Sequence, residues 1–96
     1  MPEPLRTELL GNFPNPFNPS TTIRYQVSND AFVSIGIYNI RGQRVRTLVN
    51  EYLRAGVQQA VWDGTDDLGG SVGSGVYLYR LIAGENAFIG RMVLMK

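Results

Sequence analysis

The sequence contains neither cysteine nor histidine. Without cysteine there is no disulfide, no thiolate metal ligand and no cysteine nucleophile. Without histidine there is no base for a Ser–His–Asp or Cys–His arrangement and no imidazole ligand for zinc. We therefore predict that the chain is not an enzyme, with no catalytic and no cofactor-binding residues.

Long apolar runs and a strong excess of one charge are also missing. No run approaches the roughly 20 apolar residues of a membrane-spanning helix, and the first residues lack the pattern of a signal peptide. The net charge of +1 gives no case for binding nucleic acid. A hydrophobic fraction of 44% with 18% charged residues is that of a globular chain, and the length suits one domain with a single core.

Segments that alternate in polarity are present instead of helical periods. About seven short segments are separated by turn residues, which predicts an all-β fold, an immunoglobulin-like antiparallel β-sandwich of about seven strands. Residues 75–83 are predicted as the central strand because both faces are largely apolar. Tyr77, Tyr79 and Leu81 are expected in the core, since Arg80 on the opposite face needs access to water.

A proline-rich strap, residues 12–20 (NFPNPFNPS), precedes the second predicted strand. Each proline removes a backbone donor and disfavours helical geometry in the residue before it. We expect an extended segment whose two aromatic side chains, Phe13 and Phe17, anchor it to the edge of the sandwich. Residues 1–11 are predicted to be a linker or N-terminal extension, and residues 12–96 the folded domain.

An acidic, glycine-rich loop is a candidate calcium site. Asp63, Thr65 and Asp67 occupy alternating positions and offer the oxygen ligands that calcium prefers. We favour the interpretation that these side chains bond backbone groups of their own loop.

Arginines form one basic concentration in the sequence, and two of them, Arg44 and Arg46, are expected to share a strand face. This basic patch would meet an anionic surface such as lipopolysaccharide, or form an ordinary solvated face. The predicted patch consists of Arg41, Arg44, Arg46 and Arg54.

Three separated segments resemble one known family. Residues 12–23 (NFPNPFNPSTTI), residues 42–49 (GQRVRTLV) and residues 74–81 (SGVYLYRL) with the terminal residues 90–96 (GRMVLMK) are similar to motifs of type A C-terminal sorting domains of the type IX secretion system. The loop that begins at Trp62 is longer than in that family, and with the strand after it resembles the immunoglobulin-like domain of the flagellar hook-capping protein.

The resemblance implies a non-catalytic module that directs an exported cargo protein to the outer-membrane translocon of Bacteroidetes-type bacteria. The implied partners are outer-membrane secretion components, a sortase-like peptidase, a covalently linked upstream cargo domain and anionic lipopolysaccharide. The implied location is the outer-membrane surface or the medium, reached through the periplasm. The alternatives are a structural module of the hook-cap type and a calcium-stabilised, carbohydrate-binding β-sandwich of a secreted enzyme.

Two sets of residues are predicted to bind a partner. The resemblance points to the end of the chain, and an apolar row on the outer face of the central strand is a candidate docking or dimer surface. We also expect the edge of the last strand to be open to a partner strand. The two sets are Gly90, Arg91, Met92, Val93, Leu94, Met95 and Lys96, and Val76, Leu78 and Ile82.

Overall fold

A computed structural model describes residues 5–96, and these contain seven strands. The strands form a three-stranded sheet of order β1–β2–β5 and a four-stranded sheet of order β4–β3–β6–β7. All of the pairings between strands are antiparallel, so the predicted immunoglobulin-like β-sandwich is confirmed. The strands are β1 (Glu8–Phe13), β2 (Thr21–Val27), β3 (Ala31–Tyr38), β4 (Arg44–Leu53), β5 (Gly56–Trp62), β6 (Gly75–Ala83) and β7 (Asn86–Leu94).

No helix in the described part of the chain is long and apolar enough to cross a membrane.

The core lies between the two sheets and follows directly from the alternation of the sequence. In β2, every second side chain from Ile23 to Val27 is buried against the inner face of the other sheet. Trp62, at the end of β5, lies at the centre of an aromatic cluster. Its ring centroid is 5.7 Å from that of Phe17 and 5.2 Å from that of Tyr77.

The prediction for β6 is confirmed. This strand lies between β3 and β7 and is hydrogen-bonded to both of them. Tyr77, Tyr79 and Leu81 face the core as expected, and Arg80 is exposed on the opposite face.

The strap crosses from one sheet to the other. It leaves β1 in the three-stranded sheet, runs beside β7 of the four-stranded sheet and returns to β2. The amide of Phe17 donates to the carbonyl oxygen of Val93 at 3.0 Å, and the amide of Met95 donates to the carbonyl oxygen of Phe17 at 2.9 Å. The strap therefore joins the two sheets through backbone hydrogen bonds as well as through side chains.

Only one of the two predicted aromatic anchors is buried. Phe17 is 2% exposed, whereas Phe13 is 80% exposed, so the prediction for Phe13 was wrong. Phe13 is the last residue of β1 and pairs with Thr22. Its neighbour Asn12 pairs with the fully buried Ile23, so the alternation of the strand turns Phe13 to the outside.

The sandwich begins earlier than the predicted boundary at residue 12. Strand β1 starts at Glu8, and Glu8, Leu9 and Gly11 pair with β2. The sequence conceals this strand because a bulge between Leu9 and Gly11 breaks its alternation. Residues 1–4 of the predicted linker lie outside the described residues.

Position 90 of β7 has to be glycine because of the side chain opposite it on β6. It pairs with Tyr79, whose ring lies over the glycine, so that a Cβ at position 90 would overlap the ring atoms. The Tyr79 hydroxyl lies beyond the glycine and donates to Oδ1 of Asn12 at 3.2 Å. An aromatic ring that covers a glycine on the next strand is a recognised way to fill a gap in a sheet.

We predict that Gly90→Ala lowers the free energy of unfolding by about 1–3 kcal/mol, because the buried Tyr79 ring has to leave its place. Urea denaturation measures this loss. The control is Gly73→Ala, since a Cβ at position 73 has no neighbouring atom within 4 Å. Equal stabilities of the two variants would contradict the overlap.

We also predict that Phe17→Ala costs about 3–5 kcal/mol of stability, because it empties the space beside Trp62. Phe13→Ala, which makes the same chemical change on an exposed side chain, should alter stability by no more than about 0.5 kcal/mol. Thermal or urea unfolding of the two variants compares them. A large loss with Phe13→Ala would mean that the strap docks in a different register.

Candidate functional site

The terminal segment is divided between the core and the surface. Met92 and Leu94 are 0% exposed, so their side chains belong to the core, and the partner-binding role of residues 90–96 stays a prediction for the exposed groups. Alternation along β7 turns them inward and leaves Arg91 exposed and Val93 half-buried. Gly90 is half-buried beneath the ring of Tyr79.

The side chains of Met95 and Lys96 are exposed, although the backbone at both residues is held. The amide of Met95 bonds the strap, and the amide of Lys96 donates to Oγ of Ser74 at 2.9 Å. The terminus therefore presents side chains on a fixed main chain.

The edge of β7 is not open where a partner strand was expected to pair. Asn15 of the strap bonds the edge twice: its Nδ2 donates to the carbonyl oxygen of Arg91 at 3.3 Å, and its Oδ1 accepts from the amide of Val93 at 3.0 Å. With the bonds of Phe17, the strap covers β7 from residue 91 to residue 95. The predicted strand addition at this part of the edge was wrong, because the chain supplies that partner itself.

The outer row of β6 is half-buried on the outer face of the four-stranded sheet. Val76 lies beside Val93, Leu78 beside Arg91, and Ile82 beside Ala87 of β7. The exposed guanidinium of Arg80 interrupts the row. The role of this row in binding a partner stays a prediction.

A buried polar cluster lies beneath the strap. Thr21, which is 1% exposed, donates through Oγ1 to the carbonyl oxygen of Pro14 at 2.8 Å and accepts from Nδ2 of Asn12 at 3.0 Å. Asn12 also accepts from Tyr79, and burial raises the pKa of the Tyr79 hydroxyl. Sequence reasoning missed this cluster. In the sequence, the cluster could have been recognised from two polar residues, Asn12 and Thr21, which occupy core-facing positions of adjacent strands.

The carboxylates of the acidic loop point to different backbone groups. Oδ1 of Asp66 accepts from the amides of Leu68 and Gly70 at 3.0 and 2.9 Å. Oδ1 of Asp67 accepts from the amide of Thr47 in β4 at 2.9 Å. Asp66 thus ties the loop to itself, as the favoured interpretation expected, whereas Asp67 ties it to β4. Within residues 5–96 no group of three acidic side chains is placed to hold a metal ion, and calcium binding by Asp63, Thr65 and Asp67 stays a prediction.

Thr65 connects the loop to the sandwich. Its carbonyl oxygen accepts from Nε1 of Trp62 at 2.8 Å, and its Oγ1 accepts from Nη1 of Arg46 at 2.6 Å. Both the Thr65 hydroxyl and its amide donate to Oδ1 of Asp63. These hydrogen bonds from Thr65, the side-chain bond above all, lower the pKa of Asp63, and Arg46 at 3.7 Å adds to the effect.

The predicted basic patch does not form. Arg46 pairs with the core-facing Ile37, whereas Arg44 pairs with Tyr38 on the outer face. A bulge between these two pairs reverses the alternation, so the arginines do not share a face. Arg54 follows the other end of β4, roughly 30 Å along the strand from Arg44, and Arg41 lies in the turn before β4.

The two antiparallel sheets and the core between them define an immunoglobulin-like β-sandwich. The family model of the FlgD Ig-like domain matches residues 18–86 of the sequence. The chain belongs to this family.

Two solved structures from Porphyromonas gingivalis contain a similar fold. Dimeric latent PorU is 24% identical, with a TM-score of 0.76 over 93% of this chain and 9% of PorU. PorZ, described as an essential bacterial surface component of the type IX secretion system, is 19% identical, with a TM-score of 0.64 over 94% of this chain and 11% of PorZ. The chain thus spans about a tenth of either protein, and the likeness shows the shared fold. A comparison with curated proteins finds no match.

We predict that the Asp63 carboxyl titrates below its ordinary pKa of 3.8, because Thr65 bonds its charged form. Folding lowers this pKa, so the contribution to stability is complete above the ordinary value and is lost as the pH falls through the lowered one. Carboxyl carbon NMR measures the midpoint. Thr65→Val should raise it more than Arg46→Ala does, and the reverse order would contradict the assignment of Thr65 as the main cause.

Proposed function

We propose that the chain is a non-catalytic sorting module, through which an exported cargo protein is recognised by the outer-membrane machinery of a type IX secretion system. The observation that carries the proposal is the contact between the strap and β7. These are the first and last of the segments that resemble sorting domains, and they pack against each other across a sequence separation of 78 residues at Asn15 and Val93. The fold shared with a domain of PorZ, a surface component of such a system, supports it.

In this proposal the partner contacts exposed side chains whose main chain is already held by the strap. Arg91, Met95 and Lys96 are exposed at the end of the sandwich, whereas the backbone between them is bonded to the strap. A preorganised surface loses little conformational entropy on binding. The two cations at Arg91 and Lys96 would favour an acidic partner surface.

The resemblance to sorting domains suggests the remaining partners. The cargo domain would precede β1, and a sortase-like peptidase would cleave between the cargo and Glu8, where the first strand begins. The cargo would be released or attached at the surface of a Bacteroidetes-type bacterium, with lipopolysaccharide as the attachment partner. The domain itself performs no reaction in this scheme.

The test uses a reporter fused upstream of the whole chain in a bacterium with a type IX system. Deleting residues 91–96 is unsuitable, because it removes Met92 and Leu94 from the core. The triple variant Arg91→Ala, Met95→Ala, Lys96→Ala changes only exposed side chains, and we predict that export falls at least about tenfold, as for loss of an interface hot spot. The thermal midpoint of the variant should match that of the unmodified chain.

The matched control carries Arg24→Ala, Val57→Ala and Gln59→Ala, three exposed positions on the other sheet, and should be exported normally. Undiminished export of the terminal variant would contradict the role of the chain end. Export that continues after the type IX translocon is deleted would contradict the sorting function itself.

A second candidate function is a structural module of the hook-cap type, and the match to the FlgD Ig-like domain over residues 18–86 favours it. Such a module would assemble with other subunits. Sedimentation analysis of the chain that shows rings or caps would support this function, whereas a monomer at high concentration would favour the sorting role.

A further inference from the structure

A depression lies at the centre of the outer face of the four-stranded sheet. Its floor is Gly36 of β3, which pairs with Thr47 of β4 on one side and with Arg80 of β6 on the other. Along β3, the neighbours of Gly36 on the same face are Ser34 and Tyr38. Glycine has no side chain, and the ring of Tyr38 covers part of the space above it, so the depression lies between that ring and the side chains around it.

The depression, named here the Gly36 notch, has a volume of about 230 Å³. On β4, Asn50 pairs with Ser34, and Arg44 pairs with Tyr38, so both reach the rim on the same face. Hydroxyl, amide and guanidinium groups thus surround one small hollow. Its polar side chains come from Ser34, Arg44, Thr47, Asn50 and Arg80.

Tyr38 and Arg80 hold each other in place at the rim. The Arg80 guanidinium carbon is 5.2 Å from the centroid of the Tyr38 ring, and Nη2 of Arg80 donates to the Tyr38 hydroxyl at 3.1 Å. The ring leans over the glycine, where a Cβ at position 36 would be 2.8 Å from the Tyr38 hydroxyl oxygen. A guanidinium has five N–H donors, so this contact leaves most of those on Arg80 available.

The charge at the notch is positive and unbalanced. The ion pair found within residues 5–96 joins Arg46 to Asp63, so neither Arg44 nor Arg80 is paired with a carboxylate of the described residues. None of the residues that line the notch is acidic. Two arginines on opposite sides of a hollow can bind one carboxylate or phosphate with several charge-assisted hydrogen bonds.

We propose that the Gly36 notch binds an acidic sugar residue, a uronic acid or a sugar phosphate unit of a glycan. The two arginines would bind its charged group. Ser34, Thr47 and Asn50 would bond its hydroxyls.

The lining of the notch favours a sugar over the side chain of an acidic protein. Protein partners are held mainly by aromatic or aliphatic anchors that fill apolar pockets, whereas this hollow is lined mostly by groups that donate or accept hydrogen bonds. A ligand with one negative charge and several hydroxyls matches every polar side chain named. The site lies on the outer face of the sandwich, and its test does not depend on the sorting function, because binding is measured with the chain alone.

The test is an NMR titration of the chain with trigalacturonic acid, against maltotriose as the uncharged sugar. We expect the acidic sugar to shift the amide signals of Ser34, Gly36 and Thr47, and maltotriose to shift none of them. Arg44→Ala and Arg80→Ala should each weaken binding by about tenfold or more, as for hydrogen bonds to a charged group. The control Arg24→Ala removes the same charge from the other sheet and should change affinity by less than about twofold at physiological salt.

Thr47→Val tests the hydroxyl contacts without changing the charge, and it should weaken binding while the signals of Tyr38 stay in place. Three results would overturn the proposal: equal binding of the two sugars, equal effects of Arg24→Ala and Arg44→Ala, or shifts at the notch with an acidic peptide and none with the sugar. Inorganic phosphate that binds as tightly as the trisaccharide would also overturn it, because the hydroxyls of the sugar would then contribute nothing.

Discussion

The docking of the strap onto β7 is the constraint on which the rest of the structure depends. Two sheets of a sandwich are ordinarily held together by the side chains between them. Here Phe17 fills the space beside Trp62, and its amide and carbonyl group bond the last strand of the opposite sheet. One residue therefore closes the aromatic cluster, covers the edge of β7 and fixes the end of the chain. Edge strands need such cover because unpaired backbone groups invite association with other chains.

The same contact determines what the chain can present to a partner. The strap bonds the main chain of residues 91–95, and the core takes two of their side chains, so recognition at this end is restricted to the outward-facing groups. Elsewhere, on the outer face of the four-stranded sheet, the Gly36 notch lies between Arg44 and Arg80. The two proposals thus use separate surfaces with different chemistry, the chain end for a protein and the outer face for an anionic sugar.

Alternation in the sequence predicted the strands and the core wherever the pairing is regular, as in β2 and β6. It failed at bulges, because one extra residue reverses every side chain beyond it. The bulge near Gly11 concealed β1, and the bulge beside Arg46 separated it from Arg44. Phe13 and Phe17 look equivalent beside their prolines, and only the pairing of Phe13 with Thr22 decides which is exposed. The Gly36 notch is formed by three strands, and it could not be predicted because their relative register cannot be derived from the sequence.

The contact between the strap and β7 also imposes an order on folding. Asn15 and Val93 are 78 residues apart, and closing so long a loop costs conformational entropy that is recovered only once both partners are present. Trp62 can pack on Phe17 once β5 is formed, but the amide and carbonyl group of Phe17 and the side chain of Asn15 have no edge to bond before β7 is in place. Until β7 docks, the backbone of the strap therefore stays unpaired, and this docking is the step that completes the sandwich.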